Sequence, residues 1–125
     1  MKWNKLYKYP KSSRSLIEGN RHYDISNEKL PSVTTIISLT QSEEKKQSLE
    51  QWRQRVGEQE AENIRDTAAA RGTLMHSFLE YYVRGDKLLD LSDEGQVASG
   101  MGQIIIDQGL KEMEEVWGSE VTLFY

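Results

Sequence analysis

The 125-residue chain is long enough for one domain with its own core, and its apolar and charged fractions, 37% and 29%, are those of an ordinary soluble globule. A formal net charge of −4 argues against a general nucleic-acid coat protein. The absence of cysteine excludes disulfides, thiolate zinc sites and iron–sulfur ligation. It fits a reducing cytoplasm, the expected localisation.

No run of about 18 apolar residues is present, so no membrane-spanning helix and no membrane partner are expected. The basic start Met1-Lys2-Trp3-Asn4-Lys5 is not followed by an apolar segment, so no secretory signal is expected. Charge is unevenly spread. Residues 1–22 hold Lys2, Lys5, Lys8, Lys11, Arg14 and Arg21 against Glu18 alone, a net of +5, which leaves −9 on the remainder.

Residues 1–22 thus form a basic aromatic arm, with Trp3, Tyr7 and Tyr9 among the cations. That mixture suits single-stranded nucleic acid, where bases stack on rings and Lys8, Lys11 and Arg14 meet phosphates. A docked terminus whose rings cover a core explains the same residues. Arg14–Ile17 and Arg21–Ile25 flank Glu18-Gly19-Asn20 and predict a β-hairpin. Residues 27–31 read as a loop. Ser32, following Pro31, is an N-cap for a short helix to about Leu39, although the β-branched run also suits a strand. Hydroxyls from Ser32, Thr34 and Thr35 at that helix start fit either plain capping or a phosphate contact.

Ser42-Glu43-Glu44 starts a helix to about Val56, with Leu49, Trp52 and Val56 as its apolar positions and Gly57 as its stop. A longer helix is expected from about Glu58 to Val83, ended by Gly85-Asp86. Its apolar stripe is Ile64, Ala68, Met75, Phe78, Leu79 and Tyr82. His76 and Glu80 lie a turn apart on one face, beside the small residues Ala69, Gly72 and Thr73. Such a pair either serves a site or is a packing histidine next to a solvated carboxylate. Another helix is expected from Ser92-Asp93-Glu94 to about Val116, its glycines allowing close approach to the His76 helix. Residues 119–125 alternate like a strand. The fold class expected is α+β: a mostly helical single domain over 1–125, with a short hairpin and one strand of a larger sheet.

With these residues placed, the chain resembles RecB-like nucleases of the PD-(D/E)xK superfamily. The resemblance is closest to the branch holding the mitochondrial genome maintenance exonuclease and similar phage exonucleases. It is carried by Leu30-Pro31-Ser32-Val33-Thr34, Trp52-Arg53-Gln54-Arg55, Arg71-Gly72-Thr73-x-x-His76-x-x-x-Glu80 and Glu120 at the start of a strand. The resemblance implies a metal-dependent DNA exonuclease that hydrolyses phosphodiesters at single-stranded ends. His76 would be a catalytic ligand of Mg²⁺ or Mn²⁺, and Glu120 would line the active site. Ser32, Thr34 and Arg71 would lie near the nucleic-acid backbone, and Glu80 is either the acceptor that fixes the other ring nitrogen of His76 or a solvated helix carboxylate. For a phage-encoded protein the compartment would be the host cytoplasm.

The family's Asp and Asp/Glu-x-Lys hairpin does not follow within residues 1–125. The expectation is therefore an incomplete N-terminal nuclease portion, inactive alone, with single-stranded DNA and a second chain as partners. The contrasting expectation is a non-catalytic module that binds single-stranded nucleic acid or a partner protein, the latter by pairing strand 120–125 with a sheet edge.

Overall fold

A short strand, β1 (Lys2–Trp3), opens the chain in the computed structural model, which describes all residues from Met1 to Tyr125. There follow β2 (Ser13–Ile17), β3 (Asn20–Ile25), β4 (Glu28–Pro31), α1 (Val33–Leu39), α2 (Glu43–Val56), α3 (Glu58–Val83), α4 (Asp93–Gln108), a 3-10 turn (Leu110–Glu112) and β5 (Glu115–Val116). The fold is α+β. Two compact units are distinguishable: Met1–Lys8 with Gln59–Glu120, and Tyr9–Glu58 with Val121–Tyr125.

In the second unit, β2, β3 and β4 form an antiparallel meander in that order. Both of its turns use left-handed residues: Glu18 and Gly19 at φ 52 and 78, then Ser26 and Asn27 at φ 50 and 68. Paired positive φ values match the right-handed twist of the flanking strands, which is why such turns close two-residue hairpins. The expected loop at 27–31 is therefore corrected to a strand, because Ser26-Asn27 closes a second hairpin. Ile25 is the buried anchor of this sheet. The helix reading of 33–39 holds, with Ser32 as its N-cap.

α2 starts where Ser42 caps it and stops where Gly57 takes φ 91. It buries none of its residues fully. Leu49, expected as an apolar core position, is exposed, and Trp52 and Val56 are half-buried.

In the first unit α3 and α4 are the main elements. The stripe expected on α3 is covered in its C-terminal half only: Met75, Phe78, Leu79 and Tyr82 are half-buried, whereas Ile64 and Ala68 are exposed. The reason is where cover exists. Phe78 packs on α4, and Trp3 Nε1 donates to the Val83 carbonyl at 2.8 Å. A Cβ on Gly102 would stand 2.5 Å from Phe78 Cδ1, so the absence of a side chain there makes room for the Phe78 ring against α4. The other buried apolar residues of this unit are Ala61, Ala98, Ile106 and Val116.

Two expectations at the C-terminus are overturned. α4 stops at Gln108 instead of about Val116, because the chain turns at Gly109 into the 3-10 turn. Met113, Val116 and Trp117 are therefore not on that helix. Residues 119–125 form no strand. Regular pairing falls earlier, where Glu115–Val116 runs parallel to Lys2–Trp3.

Candidate functional site: the His76–Glu120 pair

α3 is helical through the site because residues 58–83 hold no proline and only one glycine, and alanine and straight-chain residues dominate its middle. His76 sits on an exposed part of it. Glu120 comes from a bend, and three contacts bring it there. Lys2 N donates to the Glu114 carbonyl at 3.0 Å, and Asn4 N donates to the Val116 carbonyl at 2.9 Å. Val116 is buried. The Trp3 indole, bonded to Val83, ties this strand pair to the end of α3. The four residues from Val116 to Glu120 then have to span at most about 14 Å.

Glu120 Oε1 lies 3.3 Å from His76 Nδ1, across 44 residues of sequence. The two side chains are 66% and 56% exposed, so the contact is solvent-screened and worth little as an ion pair. Its chemical content is orientation. A carboxylate only accepts, so the bond requires a proton on Nδ1, which in the neutral ring leaves the lone pair on Nε2. Glu120 has φ 53, a left-handed conformation that costs a non-glycine residue roughly 1–2 kcal/mol. The surrounding structure thus imposes an unfavourable backbone on the residue that meets the histidine.

Glu80 does not serve His76. Its Oε1 is 2.6 Å from Arg84 Nη2, one turn further along α3. Thr73 bonds back to the Ala69 carbonyl at 3.0 Å. Arg71 is half-buried and has no carboxylate within ion-pair distance. Lys8 is exposed in the same unit.

Ser32, Thr34, Lys11 and Arg14 belong to the second unit. Ser32 is buried and its hydroxyl is fully engaged. Ser32 Oγ accepts from Thr35 N at 3.1 Å, donates to Thr35 Oγ1 at 2.9 Å and lies 3.0 Å from Thr34 Oγ1. Thr35 Oγ1 and Ser32 N both donate to the Arg21 carbonyl. These hydroxyls fasten α1 to β3, which is the capping role. Lys11 and Arg14 are exposed, and Arg14 stands opposite Tyr23 in the sheet.

Sequence reasoning missed the aromatic pair of the first unit. Tyr7 stacks on Trp117 with centroids 4.8 Å apart, and both rings are about half exposed, at 47% and 56%. The expected continuation of α4 to about Val116 hid it. Comparison with family models, curated proteins and solved structures finds no match to this chain.

Mg²⁺ and Mn²⁺ call for near-octahedral sets dominated by oxygen. The pair offers one imidazole nitrogen and one carboxylate, and no third histidine or carboxylate completes a group around them. These donors do not by themselves fit such an ion.

Proposed function

We propose that this chain carries the histidine–carboxylate part of a nuclease site of the RecB-like PD-(D/E)xK kind, in a DNA exonuclease that hydrolyses single-stranded ends with Mg²⁺ or Mn²⁺. One observation supports this most: the two residues that the resemblance puts at the active site, His76 and Glu120, share a hydrogen bond. Within this reading His76 presents Nε2 outward, and Glu120 acts as its positioning residue. Mounting on a regular helix keeps the ring direction defined. The reading requires further oxygen donors and a lysine from residues outside 1–125, in a longer chain or a second one.

The test is cleavage of end-labelled single-stranded DNA with either ion. The 125-residue chain is compared with a version extended through the coding sequence that follows the Tyr125 codon, where the frame continues. Expected are no turnover by the chain alone, loss of label by the extended form, and at least a 100-fold drop for His76→Ala, which removes the proposed ligand itself and so exceeds the 10–100-fold typical of its orienting partners. Full activity of His76→Ala in the extended form contradicts the assignment.

A second reading has its own observation. The stacked, half-exposed Tyr7–Trp117 pair follows Lys5 and precedes Lys8 on the Tyr7 side, and aromatic faces beside cations hold single strands without metal. A non-catalytic module of this kind predicts metal-independent quenching of Trp117 fluorescence by oligothymidylate.

A further inference from the structure

Asn4 turns the chain back after β1. Its N–H is held by the Val116 carbonyl at 2.9 Å, and its Oδ1 accepts from Leu6 N at 3.0 Å, a turn closed by its own side chain. Three residues after Asn4, Tyr7 meets Trp117, the residue that follows buried Val116. The ring planes lie 29° apart with centroids at 4.8 Å, within the stacked range that aromatic pairs favour. Both residues belong to one unit. Backbone hydrogen bonds thus bring the two rings together, and burial does not: Tyr7 and Trp117 stay about half exposed.

Stacking uses one face of each ring. Aromatic faces that meet water beside cations are what sequence-tolerant binders of single strands present. Lys5 and Lys8 stand within two residues of Tyr7 and are exposed. Neither has a carboxylate within ion-pair distance. The acidic residues close in sequence to the rings, Glu114, Glu115 and Glu120, all lie on the Trp117 segment. A polyanion is therefore drawn to the Tyr7 side, with phosphates at the lysines and a base at the rings. A duplex cannot make that contact along its length, because its bases already stack on one another and have to be unstacked first.

Position adds to this. Trp117 precedes Glu120 by three residues, so their Cα atoms are at most about 11 Å apart. That is about three nucleotide rises of 3.4 Å. A strand held on the rings has its next nucleotides within reach of the His76–Glu120 pair. We infer that Tyr7 and Trp117 form a subsite that selects unpaired over paired nucleic acid, a splayed base stacking on the rings while Lys5 and Lys8 take the flanking phosphates. The inference rests on the single-strand reading of this aromatic pair and adds its selectivity and its phosphate contacts. It does not depend on His76 being a metal ligand.

The test is fluorescence anisotropy of a labelled oligothymidylate and of a blunt duplex of equal length, titrated with the full chain at about 50 mM salt. EDTA is present, so no cleavage intervenes. Expected is at least tenfold tighter binding of the single strand. Trp117→Leu should weaken that binding at least fivefold, as for one lost base–ring stack, and leave duplex binding unchanged. Trp117→Phe, which keeps an aromatic face, should retain most of it. Joint Lys5→Ala and Lys8→Ala substitution should flatten the slope of log affinity against log salt by about 1.4, two phosphate contacts on a single strand. Tyr7→Leu gives the same reading as Trp117→Leu and decides the matter if Trp117→Leu alters the far-ultraviolet circular dichroism. Equal affinity for the two nucleic acids overturns the inference. So does single-strand binding that Trp117→Leu and Tyr7→Leu leave intact, and so does no binding through about 500 µM chain, far above the range of single-strand binders. Trp117-dependent binding by a chain whose extended form ignores His76→Ala would overturn the nuclease reading alone.

Discussion

Gly100 and Gly102 are two residues apart in α4, yet the structure gives them opposite roles. A Cβ at position 100 would meet nothing within 4 Å, whereas one at 102 would stand 2.5 Å from Phe78 Cδ1. Both sit in helix, where alanine is favoured over glycine by about 1 kcal/mol. Gly100→Ala should therefore stabilise the chain by about that amount. Gly102→Ala should lose it again and more, because displacing a packed ring costs roughly 1–3 kcal/mol. Urea unfolding of the two variants should show midpoints moving in opposite directions, and a common direction would contradict the packing of Phe78 on α4. The sequence signalled close approach here through several glycines, but it held nothing to say which one faced the ring. The His76 contact was readable in the same partial way. The helix spacing suggested Glu80 as the partner, yet Arg84 occupies Glu80, and a residue 44 positions away takes its place.

Elements with local chemistry at their ends were the most legible. Ser32, Ser42 and Ser92 each accept from the backbone N–H three residues on, and all three helix starts follow from that pattern. Elements that depend on partners far away were not. The strand at 28–31 exists because Ser26 and Asn27 both accept left-handed backbone, a choice that their side chains permit but do not announce. The pairing of Glu115–Val116 with Lys2–Trp3 joins the two ends of the sequence, and no local propensity encodes it.

The start of α4 carries a further device. Asp90 accepts from Ser92 N at 2.9 Å and from Ser92 Oγ at 2.6 Å, while Ser92 Oγ accepts from Gly95 N. The hydrogen bonds from Ser92 hold the Asp90 carboxyl below its usual range. Those from Lys111 and then Gln103 do the same for Asp107 at the other end of the helix. A lowered folded-state value means that the charged form is favoured by folding. The stabilisation is therefore present above the ordinary value of 3.8 and disappears as pH falls through the lower folded value. Thermal midpoints measured from pH 7 downward should decline below about pH 4, and Asp90→Asn should show a shallower decline from a lower starting point. An acid limb as steep as that of the unsubstituted chain would remove Asp90 from this role. The partner Lys111, raised by Asp107, keeps its stabilising contribution through neutral pH and loses it only above its ordinary value of 10.5.

At the scale of the whole molecule, few apolar residues are deeply buried: Ile25 in one unit, and Ala61, Ala98, Ile106 and Val116 in the other. A composition typical of a globule led to the expectation of one well-filled domain, but composition counts apolar residues without saying whether they meet. Here much of the apolar surface lies open, on α1 and α4 above all. The proposed nuclease reading looks beyond residues 1–125 for its remaining donors.

The nuclease reading begins from one geometric relation, the Glu120 carboxylate against His76 Nδ1. The most direct measurement of it is the tautomer of the His76 ring, read from long-range ¹H–¹⁵N correlations at pH 8 on the uniformly labelled chain, with His22 as the internal comparison. The proton is expected on Nδ1 with Nε2 free to accept, and Glu120→Ala should shift His76 toward the other tautomer while leaving His22 unchanged. A His76 ring protonated on Nε2 in the unsubstituted chain, or a tautomer indifferent to Glu120→Ala, would contradict the account.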